Sequence, residues 1–334
     1  GASAWMVSDL DTGEIIAMKD PNGRYRPASI IKALLALVVI EELPLDQRIT
    51  ATMEDASVEG SAVGIGPEGT YTVEQLLQGL LMASGNDAAH ALATALGGDE
   101  DTLRKVNEKA REIGTRSTVA ASYSGLDAAG MSTSAADISL IYREAFANDT
   151  FARIVDTEHV DFPGWGEMPG YELWNDNGLY LNDPDGIGGK TGYTEDAQHT
   201  FVGAIDRDGR RLQAVILDTT VDHGFRAWEQ AQMLLHAAYP VEDSVAQLEP
   251  VAQVVGGAEA WGVGCGGGCV MDLPLYVVAL VVLGVVFWWS LRSLHRAGLP
   301  ATIDGMRVEA TAAVVAEDRV LEVLWEVPVI VSNT

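Results

Sequence analysis

The sequence predicts an α+β fold of the α/β-sandwich kind, an antiparallel sheet of about five strands flanked by helices with a helical insert, plus one transmembrane helix. Three observations carry this. Strand-like apolar runs stand at both ends of residues 1–240, the stretch between them has helical periodicity, and a long uncharged run follows the domain.

Residues 3–8 and 14–18 are apolar runs around Asp11-Thr12-Gly13, which supplies the turn chemistry of a hairpin, so the chain opens on two paired strands. Over residues 30–40 every side chain except Lys32 is apolar, and the run stops at Glu41-Glu42 before Pro44. Too short to cross a bilayer and apolar on all sides, it predicts a buried central helix. Thr72-Val73-Glu74-Gln75 has the capping-box pattern, and Leu76, Leu77, Leu80 and Leu81 follow at helical spacing to about Ala83. Ser84-Gly85-Asn86 breaks that helix before a second one over residues 87–96, which Gly97-Gly98 stops. Further helices are expected over residues 101–113 and 134–147. Strands return at 187–194, 200–205 and 212–219, separated by polar turns, and residues 225–238 read as an amphipathic closing helix.

Beyond this domain, residues 241–273 carry Gly256-Gly257 and Gly264-Cys265-Gly266-Gly267-Gly268-Cys269 with little periodicity, and read as a stem. Residues 274–291 hold no charge and are expected to span a membrane, at the short end of the roughly 17–25 residues a bilayer requires. A buried core helix is the alternative. Trp288 and Trp289, followed by Arg292, His295 and Arg296, mark the cytoplasmic border, which puts residues 1–240 on the extracytoplasmic side of the cell membrane and leaves 292–334 as a cytoplasmic tail. In that tail Val320, Leu321, Val323, Leu324 and Val327 stand at helical spacing. The chain begins with Gly1 and enters strand-like sequence at once, so its start is expected to be trimmed.

A formal net charge of −27 argues against a nucleic-acid partner and against docking on anionic lipid, since both require clustered lysine and arginine. Cys265 and Cys269 are the only cysteines; on the external side a disulfide is open to them, and metal binding is disfavoured because no histidine lies near them before His295.

Two of the five lysines stand in short motifs. Ser29-Ile30-Ile31-Lys32 spaces a serine and a lysine three apart at a helix start, so both project from one face. A serine hydroxyl is a weak nucleophile without an adjacent base, and Lys32 can be that base only when neutral. Burial, the helix N-terminus and a second cation are expected to lower its pKa. Ser84 and Asn86 sit in a tight interhelical corner, where Ser84 could relay a proton and the Asn86 amide donate to a substrate carbonyl. Gly188-Gly189-Lys190-Thr191-Gly192 places small residues in an edge strand against which a peptide could lie, with Lys190 and Thr191 gripping a carboxylate. The oxyanion falls to backbone N–H groups, those of Ser29 and Tyr193. Each triplet has a plain alternative: a helix cap, a turn and an exposed edge lysine. The order and spacing of all three weigh against it.

S-x-x-K, S-x-N and K-T-G in this order resemble the signature of penicillin-binding proteins and serine β-lactamases. The resemblance is closest to low-molecular-mass penicillin-binding proteins of the D-alanyl-D-alanine carboxypeptidase type, over residues 2 to about 240. Tyr123-Ser124-Gly125-Leu126, Ser132-Thr133-Ser134-Ala135-Ala136-Asp137 and Asn175-Asp176-Asn177-Gly178-Leu179 resemble further landmarks of that family. It implies a penicillin-binding protein/β-lactamase-like fold with no cofactor or metal. Ser29 becomes the acylated nucleophile, Lys32 its base, Ser84 and Asn86 the second motif, and Lys190, Thr191, Gly192 and Tyr193 the substrate-binding strand. The implied partners are peptidoglycan stem peptides ending in D-Ala-D-Ala, with β-lactam antibiotics as covalent inhibitors. The chain departs from the family in Gln198, which stands where glycine is usual, and in having no β-rich domain after residue 240. A β-lactamase, with Glu172 as a weak candidate for the deacylating base, and a silent penicillin-binding sensor are the rival readings.

Overall fold

The computed structural model describes residues 1–221, 224–251, 309–316 and 319–326. Strands β1 (Ala4–Asp9) and β2 (Glu14–Lys19) form the opening hairpin. Gly13 supplies its left-handed residue, at φ 77°, and the Asp9 carboxylate accepts from the N–H groups of Asp11 and Thr12, both at 2.8 Å. The chain then crosses to a 3-10 turn, Ala28–Ile31, which runs directly into α1 (Lys32–Glu42). Lys32 through Val39 are all buried, as a helix apolar on every side requires.

The insert follows. A two-stranded ribbon of β3 (Arg48–Thr50) and β4 (Thr70–Thr72), with the short α2 (Met53–Ala56) between, leads into α3 (Val73–Met82). Its capping box is formed as the sequence predicts: Gln75 N–H donates to Thr72 Oγ1 at 3.1 Å and Thr72 N–H to Gln75 Oε1 at 2.9 Å. Helices α4 (Asn86–Ala95), α5 (Asp99–Ile113), α6 (Ala135–Ala147) and α7 (Asp149–Val155) complete it. A second ribbon, β5 (His159–Phe162) with β6 (Tyr171–Trp174), and α8 (Gly178–Asn182) return the chain to the sheet. There β7 (Gly186–Thr194), β8 (Gln198–Arg207) and β9 (Arg210–Thr219) precede α9 (Ala227–Ala238).

The two ends of the domain meet in one antiparallel sheet, because β1 pairs with β9 in the register Met6↔Val215. Side chains then alternate between two cores with the period of a strand. Met6, Val202, Val215 and Leu217 face the helical insert, while Val7, Phe201, Ile205, Ala214 and Ile216 face Ala231 and Leu235 of α9. This is the layered arrangement the sequence predicts, with six strands rather than about five: a short sixth strand, β10 (Ala246–Gln247), gives the order β10-β2-β1-β9-β8-β7.

The sixth strand, β10 (Ala246–Gln247), lies in what the sequence reads as stem. It pairs with β2, Leu248 is buried, its N–H donates to Gly13 O at 2.8 Å, and Val251 N–H donates to Gly114 O at 2.9 Å. The domain therefore continues past residue 240 to at least 251; two residues of strand are too few for a sequence pattern to show. The proposed span 274–291 and both cysteines lie outside the described residues, and no helix among the described residues is long and apolar enough to cross a membrane. In the tail, the helical spacing expected around Val320 gives way to a hairpin of β11 (Glu309–Ala316) and β12 (Arg319–Glu326). Valine, leucine and tryptophan over 320–325 suit a strand as well as a helix, and the β-branched residues favour the strand.

A chain ended after residue 240 is expected to be about 2 kcal/mol less stable to denaturant than one ended after 251, the scale of burying one leucine. Leu248→Ala should reproduce most of the loss; equal midpoints for all three chains would show that β10 contributes nothing.

Candidate active site

Ser29 is presented by a tight corner. Ala28, the residue before it, holds a left-handed backbone at φ 50°, a conformation that costs a non-glycine residue about 1 kcal/mol and persists only when its surroundings over-determine it. They do so from three sides. Thr200 Oγ1 on β8 donates to Pro27 O at 2.8 Å, and Tyr142 Oη on α6 donates to Ile30 O at 2.7 Å. Two glycines let backbone close on the corner: a Cβ on Gly125 would stand 2.1 Å from Ala28 O, and one on Gly192 would stand 3.0 Å from Ser29 N and 2.3 Å from Thr200 Oγ1.

One turn on, Lys32 has no solvent exposure. Its Nζ donates to Ser124 O at 2.6 Å and lies 2.7 Å from Ser29 Oγ, within reach of the hydroxyl proton. Burial, and then the charge of Lys190, hold its pKa well below the ordinary lysine range, against the opposing pull of Asp176 and Asp87. The neutral amine that the spacing requires is thus favoured by its surroundings. The Ser124 contribution is one the sequence shows only as a Tyr-Ser-Gly landmark, since a carbonyl has no sequence signature.

The second motif forms the corner between α3 and α4. Ser84 takes a left-handed backbone, φ 61°, and is buried, as is Asn86. Asn86 Nδ2 donates to Glu59 O at 2.8 Å, while Oδ1 is buried with no hydrogen-bond partner among the described residues. One of the two Nδ2 hydrogens is thus taken by Glu59, so the Asn86 amide keeps one N–H and its Oδ1 for a substrate. Lys32 and Lys190 find their hydrogen bonds at Ser29, Ser124 and Thr191, so a relay through Ser84 is not a direct bond to either lysine. Asp87, absent from the sequence-based site, holds the loop over this corner: its carboxylate accepts from the N–H groups of Val63, Gly64 and Ile65 at 2.8 to 3.1 Å.

The third motif lies on β7 beside Ser29. Lys190 is fully buried; Nζ donates to Thr191 O at 2.9 Å, and burial lowers its pKa while Asp176 raises it. Thr191 Oγ1 donates to both Asp176 carboxylate oxygens, at 3.2 and 3.1 Å. Tyr193 is exposed with its ring against His199, 4.7 Å between centroids. Its neighbour Gly192 brings this stretch of strand against Ser29 N, which is where two N–H groups meant for one oxyanion have to converge. Gln198, at the far end of the β7–β8 turn, has φ 55°: the left-handed residue this turn requires is here a glutamine, whose Nε2 donates to Glu195 O at 2.6 Å. Glu172 is exposed on β6 opposite Asp161.

A hydroxyl and a lysine amine in hydrogen-bond contact, beside a strand bearing a buried cation and a second hydroxyl, define a serine acyl-transfer enzyme. The D-alanyl-D-alanine carboxypeptidase family matches residues 1–221, and the chain belongs to that family. It is 44% identical over 237 residues to the D-alanyl-D-alanine carboxypeptidase DacB2 of Mycobacterium tuberculosis, spanning 70% of this chain and 80% of that one. A crystal structure of D-alanyl-D-alanine carboxypeptidase from the same organism superposes with a TM-score of 0.70 at 41% identity, over 74% of this chain and 94% of that one. A DD-transpeptidase of Streptomyces matches with a TM-score of 0.66 at 25% identity, over 71% and 96% of the two chains.

The two lysines set opposite edges of the pH profile. Protonation of Lys32 as pH falls through its lowered pKa removes the base, and deprotonation of Lys190 as pH rises removes the cation, so kcat/KM is expected to be bell-shaped. Lys190→Arg should carry the alkaline edge to higher pH and leave the acid edge in place; an unmoved alkaline edge would assign it to another group.

Gly192→Ala is expected to slow acylation by roughly tenfold or more, because the added methyl forces Ser29 N and β7 apart and small misplacements of reacting groups are costly. Stopped-flow acylation by a chromogenic β-lactam would measure it, and a wild-type rate would show that the close approach is dispensable.

Proposed function

We propose that this chain is a serine-type D-Ala-D-Ala carboxypeptidase that trims peptidoglycan stem peptides through an acyl-enzyme on Ser29 and is acylated by penicillins. The observation that carries the reading is the 2.7 Å contact between Lys32 Nζ and Ser29 Oγ, with a lysine held off its charged form by burial. Lys32 takes the Ser29 hydroxyl proton as Oγ bonds to the carbonyl carbon of the penultimate D-alanine. The oxyanion is met by the N–H groups of Ser29 and Tyr193. Collapse breaks the C–N bond, the terminal D-alanine leaves as an amine carrying the proton from Lys32, and the ester stays on Ser29. Water, deprotonated by Lys32, then releases the shortened peptide. Lys190 and Thr191 receive the terminal carboxylate, or the acid group of a β-lactam, through charge-assisted bonds.

We place this activity outside the cytoplasmic membrane, tethered through residues 274–291, on the sequence of that run and its Trp-Arg border alone. Recovery of the full chain in the soluble fraction of its own cells would sink the tether and leave the enzymology untouched.

Labelled penicillin should form a lasting adduct on Ser29, and Ser29→Ala should abolish it, read by mass spectrometry of the intact chain. Lys32→Arg should stop acylation because arginine cannot shed its proton, while Lys190→Arg keeps its cation and loses less. Rapid turnover of the drug without an adduct would favour a β-lactamase, and acylation of Lys32→Arg at the wild-type rate would remove Lys32 as base.

A further inference from the structure

Asp176 is not one of the residues to which the proposed chemistry gives a role, yet its carboxylate touches the Thr191 hydroxyl of the carboxylate seat and its charge acts on both buried lysines. Its field reaches both buried lysines, Lys190 on β7 and Lys32 on α1; the other anion acting on Lys32, Asp87 on α4, is committed to the N–H groups of Val63, Gly64 and Ile65. Its carboxylate takes the Thr191 hydroxyl with both oxygens. The main chain under it is pinned. Asp176 N–H donates to Met82 O at 2.8 Å, Asn175 Nδ2 donates to Val155 O and Thr157 O at 3.0 and 2.9 Å, and Asn177 Oδ1 accepts from Tyr180 N–H at 3.1 Å. Both asparagines are buried, whereas Asp176 itself is exposed. The result is an exposed carboxylate on a hydrogen-bonded base.

We infer that Asp176 is a resident stand-in for the substrate's terminal carboxylate: before substrate binds it holds the Thr191 hydroxyl and balances Lys190, and it yields both when the peptide arrives. The inference rests on the reading of Lys190 and Thr191 as the carboxylate seat. Thr191 has a single hydroxyl proton and cannot donate to two carboxylates at once, and two like charges at one seat repel. A fully buried ammonium with no nearby anion is costly, which is what Asp176 offsets while substrate is absent. Because the contact it surrenders is solvent-exposed, the competition is modest. Asp176 acts as a positioning residue, through Thr191 and Lys190, and not as a catalytic one.

The test compares a synthetic peptide ending in D-Ala-D-Ala with its C-terminal amide, on the full chain and on Asp176→Asn and Asp176→Glu. The asparagine keeps an acceptor for Thr191 and removes the charge. It is expected to lower KM for the free acid by about three- to fivefold with kcat near wild type, and to leave KM for the amide unchanged, the fold-change of an exposed charge contact. The alkaline edge of kcat/KM should move to lower pH, since Lys190 loses the anion that favours its charged form, and Asp176→Glu should restore it. An unchanged KM for the acid, or equal changes for acid and amide, overturns the inference. Wild-type enzyme is expected to prefer the free acid by roughly tenfold or more, the scale of a charge-assisted contact. If wild type cleaved both peptides equally, the carboxylate seat would fall and this inference with it; if wild type discriminates and Asp176→Asn does not respond, only this inference falls.

Discussion

The site depends on one lysine that the fold keeps out of water. Lys32 belongs to a helix whose first eight residues are all buried, and its amine meets Ser124 O on one side and Ser29 Oγ on the other. In water such a lysine is charged and useless as a base. Desolvation, reinforced by Lys190, shifts the balance toward the neutral amine, so the hydrophobic core helps to activate the base. The arrangement carries a stability cost with a definite sign. For a lysine whose folded pKa lies below its unfolded value, the penalty is present below the folded pKa and is relieved as pH rises toward the unfolded one.

What brings the second lysine there is the closure of the sheet from both ends of the chain. The β1–β9 pairing puts the opening hairpin beside the late strands, and the helical insert rises on the same face as α1. Lys190 then enters the core from β7 while Lys32 enters it from a helix, 158 positions apart in sequence. Glycines at 125 and 192 make the final approach possible, because any side chain there would push loop or strand away from Ser29. Two of the left-handed non-glycine residues stand at these motifs. Ala28 and Ser84 both adopt left-handed conformations next to or at a motif residue, and Asn86 keeps a buried acceptor without a partner among the described residues. Left-handed non-glycine residues also occur away from the site, at Asp20, Glu68, Asp208 and Asp218, but at Ala28 and Ser84 the strained backbone carries motif residues.

The sequence alone determined the elements with strong period or strong punctuation. The two-strand opening around Gly13, the buried helix after Ser29, the Thr72 capping box and the three late strands are read from local pattern, and the three motifs are read from residue type and order, because hydrophobic period and turn chemistry are local properties. Tertiary structure alone decided what depends on contacts between distant segments. The ribbons β3–β4 and β5–β6 and the two-residue β10, which carries the domain past residue 240, have too few residues for any period to register, and exist only by pairing. The tail hairpin was misread for a related reason, since valines and leucines at 320–324 fit either period until a partner strand chooses. In the site, sequence names Ser29, Lys32 and Lys190 but not Ser124 O, the Asp87 loop anchor, the Asn86–Glu59 hydrogen bond, or the Asp176–Thr191 contact. Those are carbonyls, backbone donors and carboxylates brought together by the fold, and a hydrogen bond between segments far apart in the chain leaves no spacing for a sequence to display.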